Sequence, residues 1–462
     1  MRKTVVSVCK HILALCLAAA LLPVLHLGGA AKAAGKQWVA SWGTGLQKID
    51  LALSEDFDIA VSGLATTVRV RFENGLTGDT VRLRFSNQFG SAAIPIESVT
   101  LARAAGESGS SIVEGSAVAV TFGGKKEGSI PAGKTLTSDA VSMSVKAGEE
   151  LCVSYYLPYY TDLNTMGLIG AESYLSLGNQ TWWTNQIASA PLYVMQISKT
   201  GLEVTPLLWG VDVYCAGRAI VVLGDSTTAN YLPRMMADVI RQAGYTNVSV
   251  INTSITGNRM LSYEEEIMLR GPFGERLLDR LDRDLLSVPG ATHVIVRAGG
   301  NDINHPRLLT HRGIAPMYTA KEINAGLKKV NDTALKNSIT PIFVPYNGMK
   351  SFERTNANGE RDLIWDAEIQ ECYSQLNAYI YKLNKQNGFT GKNFVSALNK
   401  LNDPWCMQPE YTIDGGHYNW DGMVKFSQIF PYSTLGLNIK TVKAPRTVKD
   451  ISLWDEIIGW FG

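Results

Sequence analysis

Ile220-Val221-Val222-Leu223-Gly224-Asp225-Ser226-Thr227 reads as a buried strand that ends in a serine-bearing turn. Four consecutive apolar residues without alternation describe a strand covered on both faces, as in a parallel sheet. Short, mostly β-branched runs follow at 248–251, 294–296, 342–344 and 394–397, with helical stretches at 230–243, 321–337 and 366–387 between them. Strands alternating with helices indicate βαβ units. Five such strands predict a flavodoxin-like three-layer α/β/α domain over residues 216–440.

Upstream, residues 36–215 have a different texture. Thr67-Val68-Arg69-Val70-Arg71-Phe72 and Val81-Arg82-Leu83-Arg84-Phe85 alternate apolar with charged residues, the pattern of half-buried antiparallel strands. Turn signals at Asn74-Gly75, Thr77-Gly78-Asp79, Phe122-Gly123-Gly124 and Pro131-Ala132-Gly133 punctuate further strand candidates at 118–122, 141–145 and 151–157. Many short strands without a strong helical pattern predict an all-β, jelly-roll-like sandwich.

The chain has 462 residues, 45% hydrophobic and 18% charged, with a net charge of +1. That length favours two domains, and the apolar fraction excludes a disordered protein. A near-neutral chain without a Lys/Arg stripe is not expected to bind nucleic acid. Its 43 glycines show no three-residue period, and no repeat or low-complexity tract is visible. Residues 1–33 have the pattern of a signal peptide: Arg2, Lys3 and Lys10, then an apolar run over 12–27, then Ala31-Lys32-Ala33. An uncleaved anchor is the alternative; a lipoprotein is disfavoured because Leu15, not a small residue, precedes Cys16. Cleavage after Ala33 takes the net charge to −3 and predicts a secreted, extracellular protein, with no integral membrane association. Residues 441–462 form a tail ending in Ile451, Leu453, Trp454, Ile457, Ile458, Trp460 and Phe461. It lacks the cationic face of an interfacial helix, so packing onto a domain is expected.

After cleavage Cys152, Cys215, Cys372 and Cys406 remain, with neither C-x-x-C nor zinc-ligand spacing, so no metal is expected. Pairing of Cys152 with Cys215 and of Cys372 with Cys406 is one reading, and four buried thiols the other.

Ligands of open α/β sheets collect at the carboxyl ends of the strands. At the first exit, Ser226 is either a helix N-cap or a nucleophile. The next carries Gly257 in Thr256-Gly257-Asn258, a turn glycine or a backbone donor close to a ligand. Another is Gly299-Gly300-Asn301-Asp302, an Asx-turn or an amide placed for an oxyanion. Last is Asp414-Gly415-Gly416-His417: among His293, His305, His311 and His417, only His417 has a carboxylate three residues earlier across two glycines, which allow a tight turn. It is either a solvated loop histidine or a base oriented by Asp414. No G-x-S-x-G elbow is present, which disfavours the α/β-hydrolase architecture.

These blocks, in this order, resemble the SGNH (GDSL-type) hydrolase superfamily between about residues 218 and 431. Arg276-Leu277-Leu278-Asp279-Arg280-Leu281-Asp282-Arg283-Asp284 is similar to a subgroup of secreted bacterial esterases with an N-terminal β-sandwich. Trp38-Val39-Ala40-Ser41-Trp42, Arg84-Phe85-Ser86-Asn87-Gln88-Phe89-Gly90 and Ile130-Pro131-Ala132-Gly133 resemble that subgroup's markers. Thr227 stands where the family often has an aliphatic residue, a departure that concerns packing.

The resemblance implies hydrolysis of acyl esters by Ser226, His417 and Asp414, with Ser226, Gly257 and Asn301 forming the oxyanion hole, and neither metal nor cofactor. Export and the lack of an obvious apolar lid point to short acyl groups, acetyl above all, on a small-molecule or polysaccharide ester. The alternatives are a lipase or phospholipase, and a non-catalytic glycan-binding protein on the same scaffold. Tyr174, Trp182 and Trp183 either wall the substrate cleft or fill the sandwich core.

Overall fold

The computed structural model describes residues 35–48, 65–161, 163–168, 170–189, 193–197, 200–262, 273–308, 316–352, 354–355, 361–362, 364–389 and 393–445. The signal-peptide reading, His311 and most of the C-terminal tail lie outside these residues.

Up to Cys215 the sheets are antiparallel. One sheet runs in the order β1 (Gln37–Gly43), β8 (Leu208–Cys215), β3 (Gly78–Ser86) and β5 (Val141–Val145). Its partner runs β7 (Glu172–Leu177), β2 (Thr66–Asn74), β6 (Glu149–Leu157) and β4 (Ser98–Arg103). Register places Val68, Val70 and Phe72 opposite Tyr155, Val153 and Leu151. Those side chains meet the other sheet: the rings of Phe85 and Tyr155 lie edge to face at 5.4 Å, and those of Trp42 and Phe72 are tilted against each other at 5.1 Å. Interdigitation of the two inner faces makes this region a sandwich.

The alternation in β2 predicts one wet face, but Arg69 and Arg71 are buried too. Residues 105–110 and 178–187 pass over that face and supply the acceptors. Arg71 donates to the carbonyls of Ala105, Gly106 and Gly109, and Arg69 to those of Ser110, Gln180 and Trp183. Cover by these segments, which strand periodicity cannot report, makes the difference.

Only Ala216 and Gly217 separate β8 from β9 (Arg218–Gly224). The parallel sheet runs in the order β10 (Val248–Asn252), β9, β11 (Ala291–Arg297) and β12 (Thr340–Phe343). Its helices are α1 (Leu232–Gln242), the short α2 (Gly300–Asn304), α3 (Ala320–Lys336), α4 (Ala367–Gln386) and α5 (Trp420–Ile429). A Thr319/Glu322 capping box starts α3, Asp366 caps α4 and Asn419 caps α5. Such caps are worth about 1 kcal/mol each. The expected strand at 394–397 is instead a 3-10 turn, Phe394–Leu398. Phe394 packs edge to face on Phe426 and Phe430 of the α5 region, so this apolar run serves an aromatic cluster rather than the sheet.

Residues Lys36–Gly462 make one compact unit. β1 runs alongside β10: Thr44 pairs in parallel with Asn252, and Ser249 Oγ donates to the Ala40 carbonyl at 2.6 Å. The otherwise open edge of the parallel sheet is thereby covered. All four described cysteines are free thiols; Cys152, Cys215 and Cys406 are buried and Cys372 is half-buried, and burial pushes the Cys152 thiol up to about 12.

Candidate active site

Ser226 lies two residues beyond the end of β9, yet it caps no helix. α1 begins at Leu232, and the segment between is held by Thr228 N and Ala229 N donating to the Asp225 carbonyl. Asp225 Oδ1 accepts from the Thr227 amide and hydroxyl, which fixes the turn from the other side. Ser226 Oγ instead lies 2.9 Å from His417 Nε2, and both side chains are buried.

His417 comes from a loop built for the purpose. Thr412 bridges Tyr418, Thr412 Oγ1 donates to the His417 carbonyl at 2.7 Å, and Gly415 N donates back to Thr412 Oγ1 at 2.9 Å. Gly415 has φ +87°, and a Cβ there would run into the backbone of Ser351. Only glycine fits both conditions. Asp414 Oδ2 lies 2.7 Å from His417 Nδ1, while Oδ1 accepts from the amides of Gly416 and His417, each at 2.8 Å. Burial alone would raise the Asp414 carboxyl, but the His417 ring and these N–H groups outweigh it and hold the carboxyl below its usual range. An ionised carboxylate on Nδ1 fixes the tautomer that leaves Nε2 free to accept from Ser226. Hydroxyl, imidazole and carboxylate are therefore in serial contact, an arrangement that can move a proton off the hydroxyl.

Asn301 lies in α2, which opens after Gly299 at φ +101°. It lines a cavity of about 30 Å³ together with Ser226 and His417. One N–H of its carboxamide donates to the Asn258 carbonyl at 3.1 Å, which orients the group and leaves the second N–H. Gly257 is not among the residues lining the cavity. Its φ is +70°, and a Cβ there would overlap the Phe273 ring, so glycine permits this close approach. The loop that carries it is clamped to α2 by Asp302, whose carboxylate accepts from Met260 N at 2.7 Å and Leu261 N at 2.9 Å.

Sequence reasoning passed over other participants. Arg280 is fully buried and donates to the carbonyls of Thr253 and Gly224, to Asn258 Oδ1 and to Asp284. It ties the ends of β9 and β10 to the Gly257 loop. Asn304, His305, Leu308, Met349 and Phe352 also line the cavity, the last with its ring edge-on to His417 at 6.1 Å. His305 is buried in the 3-10 turn His305–Arg307, a placement that its neighbours Pro306 and Arg307 do not signal in the sequence. The tryptophans of the sandwich satisfy neither expectation: Trp182 and Trp183 are 55% and 54% exposed and do not line this cavity, whereas Tyr174 is buried.

Residues 220–429 match the family model of GDSL-like lipases/acylhydrolases. No curated protein matches the chain. Among solved structures, the chain is similar to a putative acylhydrolase from Bacteroides fragilis NCTC 9343 at 17% identity and TM-score 0.35, covering 47% of this chain and 87% of that one. A GDSL-like lipase from Bacteroides thetaiotaomicron VPI-5482 gives 18% identity and TM-score 0.34, over 47% of this chain and 88% of that one. A variant of an acetyl-xylooligosaccharide esterase from Geobacillus stearmophilus gives 14% and 0.36, over 48% and 95%.

Proposed function

Because the region 220–429 belongs to the SGNH, GDSL-type, hydrolases, we propose that this acylhydrolase is a serine esterase that removes short acyl groups, acetyl above all, from carbohydrate esters. The observation that carries the reading is the continuous chain Ser226 Oγ–His417 Nε2 and His417 Nδ1–Asp414 Oδ2, at 2.9 and 2.7 Å. His417 takes the Ser226 proton as the hydroxyl oxygen attacks the ester carbonyl. Asp414 keeps the imidazole in register and stabilises the imidazolium that forms. The negative charge on the carbonyl oxygen is met by the amides of Ser226 and Gly257 and by the second N–H of Asn301. His417 then protonates the departing alcohol oxygen. Water, activated by the same imidazole, cleaves the acyl-enzyme and returns Ser226 to its starting state.

The cavity supports a small acyl group. Its volume of about 30 Å³ beside Leu308, Met349 and Phe352 matches a group the size of an acetyl methyl. On p-nitrophenyl acetate the Ser226→Ala variant should lose at least about 10⁴-fold in kcat, a typical loss of a triad nucleophile. Full activity in that variant would remove the nucleophile assignment. Comparing initial rates on p-nitrophenyl acetate and palmitate tests the acyl preference, and faster palmitate turnover would make the protein a lipase. Export is part of the proposal: N-terminal sequencing of protein from culture medium should begin at Ala34.

A further inference from the structure

We propose that the segment crossing the outer face of the sandwich is a binding platform for neutral polysaccharide, with Trp182 and Trp183 as its contact surfaces. After β7 the chain turns back over its own sheet. Thr67 Oγ1 donates to the Gly178 carbonyl at 2.6 Å and accepts from Gln180 N at 2.8 Å. Thr100 Oγ1 donates to the Thr181 carbonyl at 2.8 Å, and the hydroxyls of Ser98 and Thr181 lie 2.9 Å apart. Arg69 donates from one Nη2 to the carbonyls of Gln180 and Trp183, at 3.1 and 2.8 Å. Further on, Ile112 N donates to the Thr184 carbonyl and Ile187 N to Ser110 Oγ, each at 2.9 Å.

The strap is thus anchored from two strands, β2 and β4, and an adjoining loop, yet two adjacent indoles at its turn remain 55% and 54% exposed. Exposed aromatic surface on so fixed a backbone marks an interaction site rather than a fraying loop. Tryptophan on a rigid support offers a large apolar plane at small entropic cost, and its electron-rich face attracts polarised C–H groups such as those on a pyranose ring.

The composition of the strap selects the ligand. Residues 177–187, Leu-Gly-Asn-Gln-Thr-Trp-Trp-Thr-Asn-Gln-Ile, contain no charged residue in a chain that is 18% charged. Asn185 and Gln186, both exposed, supply amides that can donate to and accept from hydroxyls. Without Lys or Arg the strap has no means of attracting an anionic lipid surface or an acidic polymer. Indole planes flanked by amides and hydroxyls match a neutral, hydroxyl-rich chain. Leu157 and Leu177 flank Thr66 in register, so Tyr159 and Tyr160, 66% and 64% exposed, leave the end of the sheet from which the strap turns back.

Affinity electrophoresis in gels containing xylan, galactomannan or mixed-linkage β-glucan tests this without using ester chemistry. It stands or falls independently of the esterase reading. The wild-type chain should be retarded by at least one of the three. The W182A/W183A variant should lose at least tenfold in affinity while keeping its thermal unfolding midpoint, and Tyr214→Ala, at an exposed aromatic elsewhere on the sandwich, should be retarded like wild type. Unretarded wild-type protein in all three gels, or equal retardation of the double variant, would overturn the platform. So would binding to phosphatidylcholine vesicles instead of polysaccharide, if W182A/W183A abolished it.

Discussion

Arg69 in the sandwich and Arg280 in the α/β region are both wholly buried, and both gather acceptors from segments far apart in sequence. They differ in what they assemble. Arg69 donates to the Ser154 hydroxyl and the Ser110 carbonyl and holds the Gln180 and Trp183 carbonyls of a strap whose two indoles face outward. Arg280 draws together the ends of two parallel strands and the Gly257 loop, directly behind Asp225 and Ser226, which line the cavity. Burial holds both guanidinium groups below their usual pKa, and Asp284 opposes the shift only for Arg280. A buried guanidinium costs desolvation wherever it sits, and the acceptors that repay it decide whether the product is a surface or a pocket.

The contrast is sharpest where chemistry is concerned. Asp414→Asn should lower kcat on p-nitrophenyl acetate by about 10⁴-fold, because the amide favours the wrong imidazole tautomer. An unchanged kcat would break the claim that reactivity is confined to the inward-facing side. Next come the two arginines. Arg280→Met and Arg69→Met should each cost about 3–5 kcal/mol in urea unfolding, since buried acceptors and, for Arg280, a carboxylate lose their donor. Only Arg280→Met should also depress kcat/KM of the folded fraction; equal catalytic losses would erase the distinction between the regions.

Asn301→Ala should reduce kcat by about 10²–10³-fold with little change in unfolding midpoint, as for loss of one oxyanion donor. The smallest effect concerns the seam between the regions. Glu203 is pushed up to about 7 by burial and by the nearby Glu172 carboxylate, with the Tyr231 hydroxyl 3.4 Å away. The folded state therefore holds this proton more tightly than the unfolded chain. Its contribution to stability is largest below about pH 4.5 and is lost as the pH rises through about 7. Glu203→Gln should flatten that slope and stabilise the protein at pH 8 by about 1–2 kcal/mol; identical slopes in the two proteins would show that the carboxyl is not the titrating group.

Much of the site is readable in sequence because its parts sit at strand exits, where local signals and function coincide. Gly224-Asp225-Ser226 ends an unbroken apolar run, and Asp414-Gly415-Gly416-His417 brings an acid and a base together across two glycines. Arg280 was hidden in Arg276-Leu277-Leu278-Asp279-Arg280, where its charge looks like one more polar position of a helical face. Its burial depends on carbonyls at Gly224 and Thr253, contacts without any local signature. The same holds for Arg69, whose alternation with valines correctly marks a strand but not the strap above it. The run at 394–397 misleads for a related reason: four residues cannot distinguish a sheet partner from an aromatic anchor.

The pairing of Thr44 with Asn252 limits how this polypeptide can be taken apart. An N-terminal strand from one architecture seals the border of the other, and a two-residue joint leaves no slack between them. Truncation of the sandwich would expose raw peptide groups along the border and invite self-association before any change in substrate profile could be read. Recombination in evolution or in the laboratory has to carry both architectures as a single cassette.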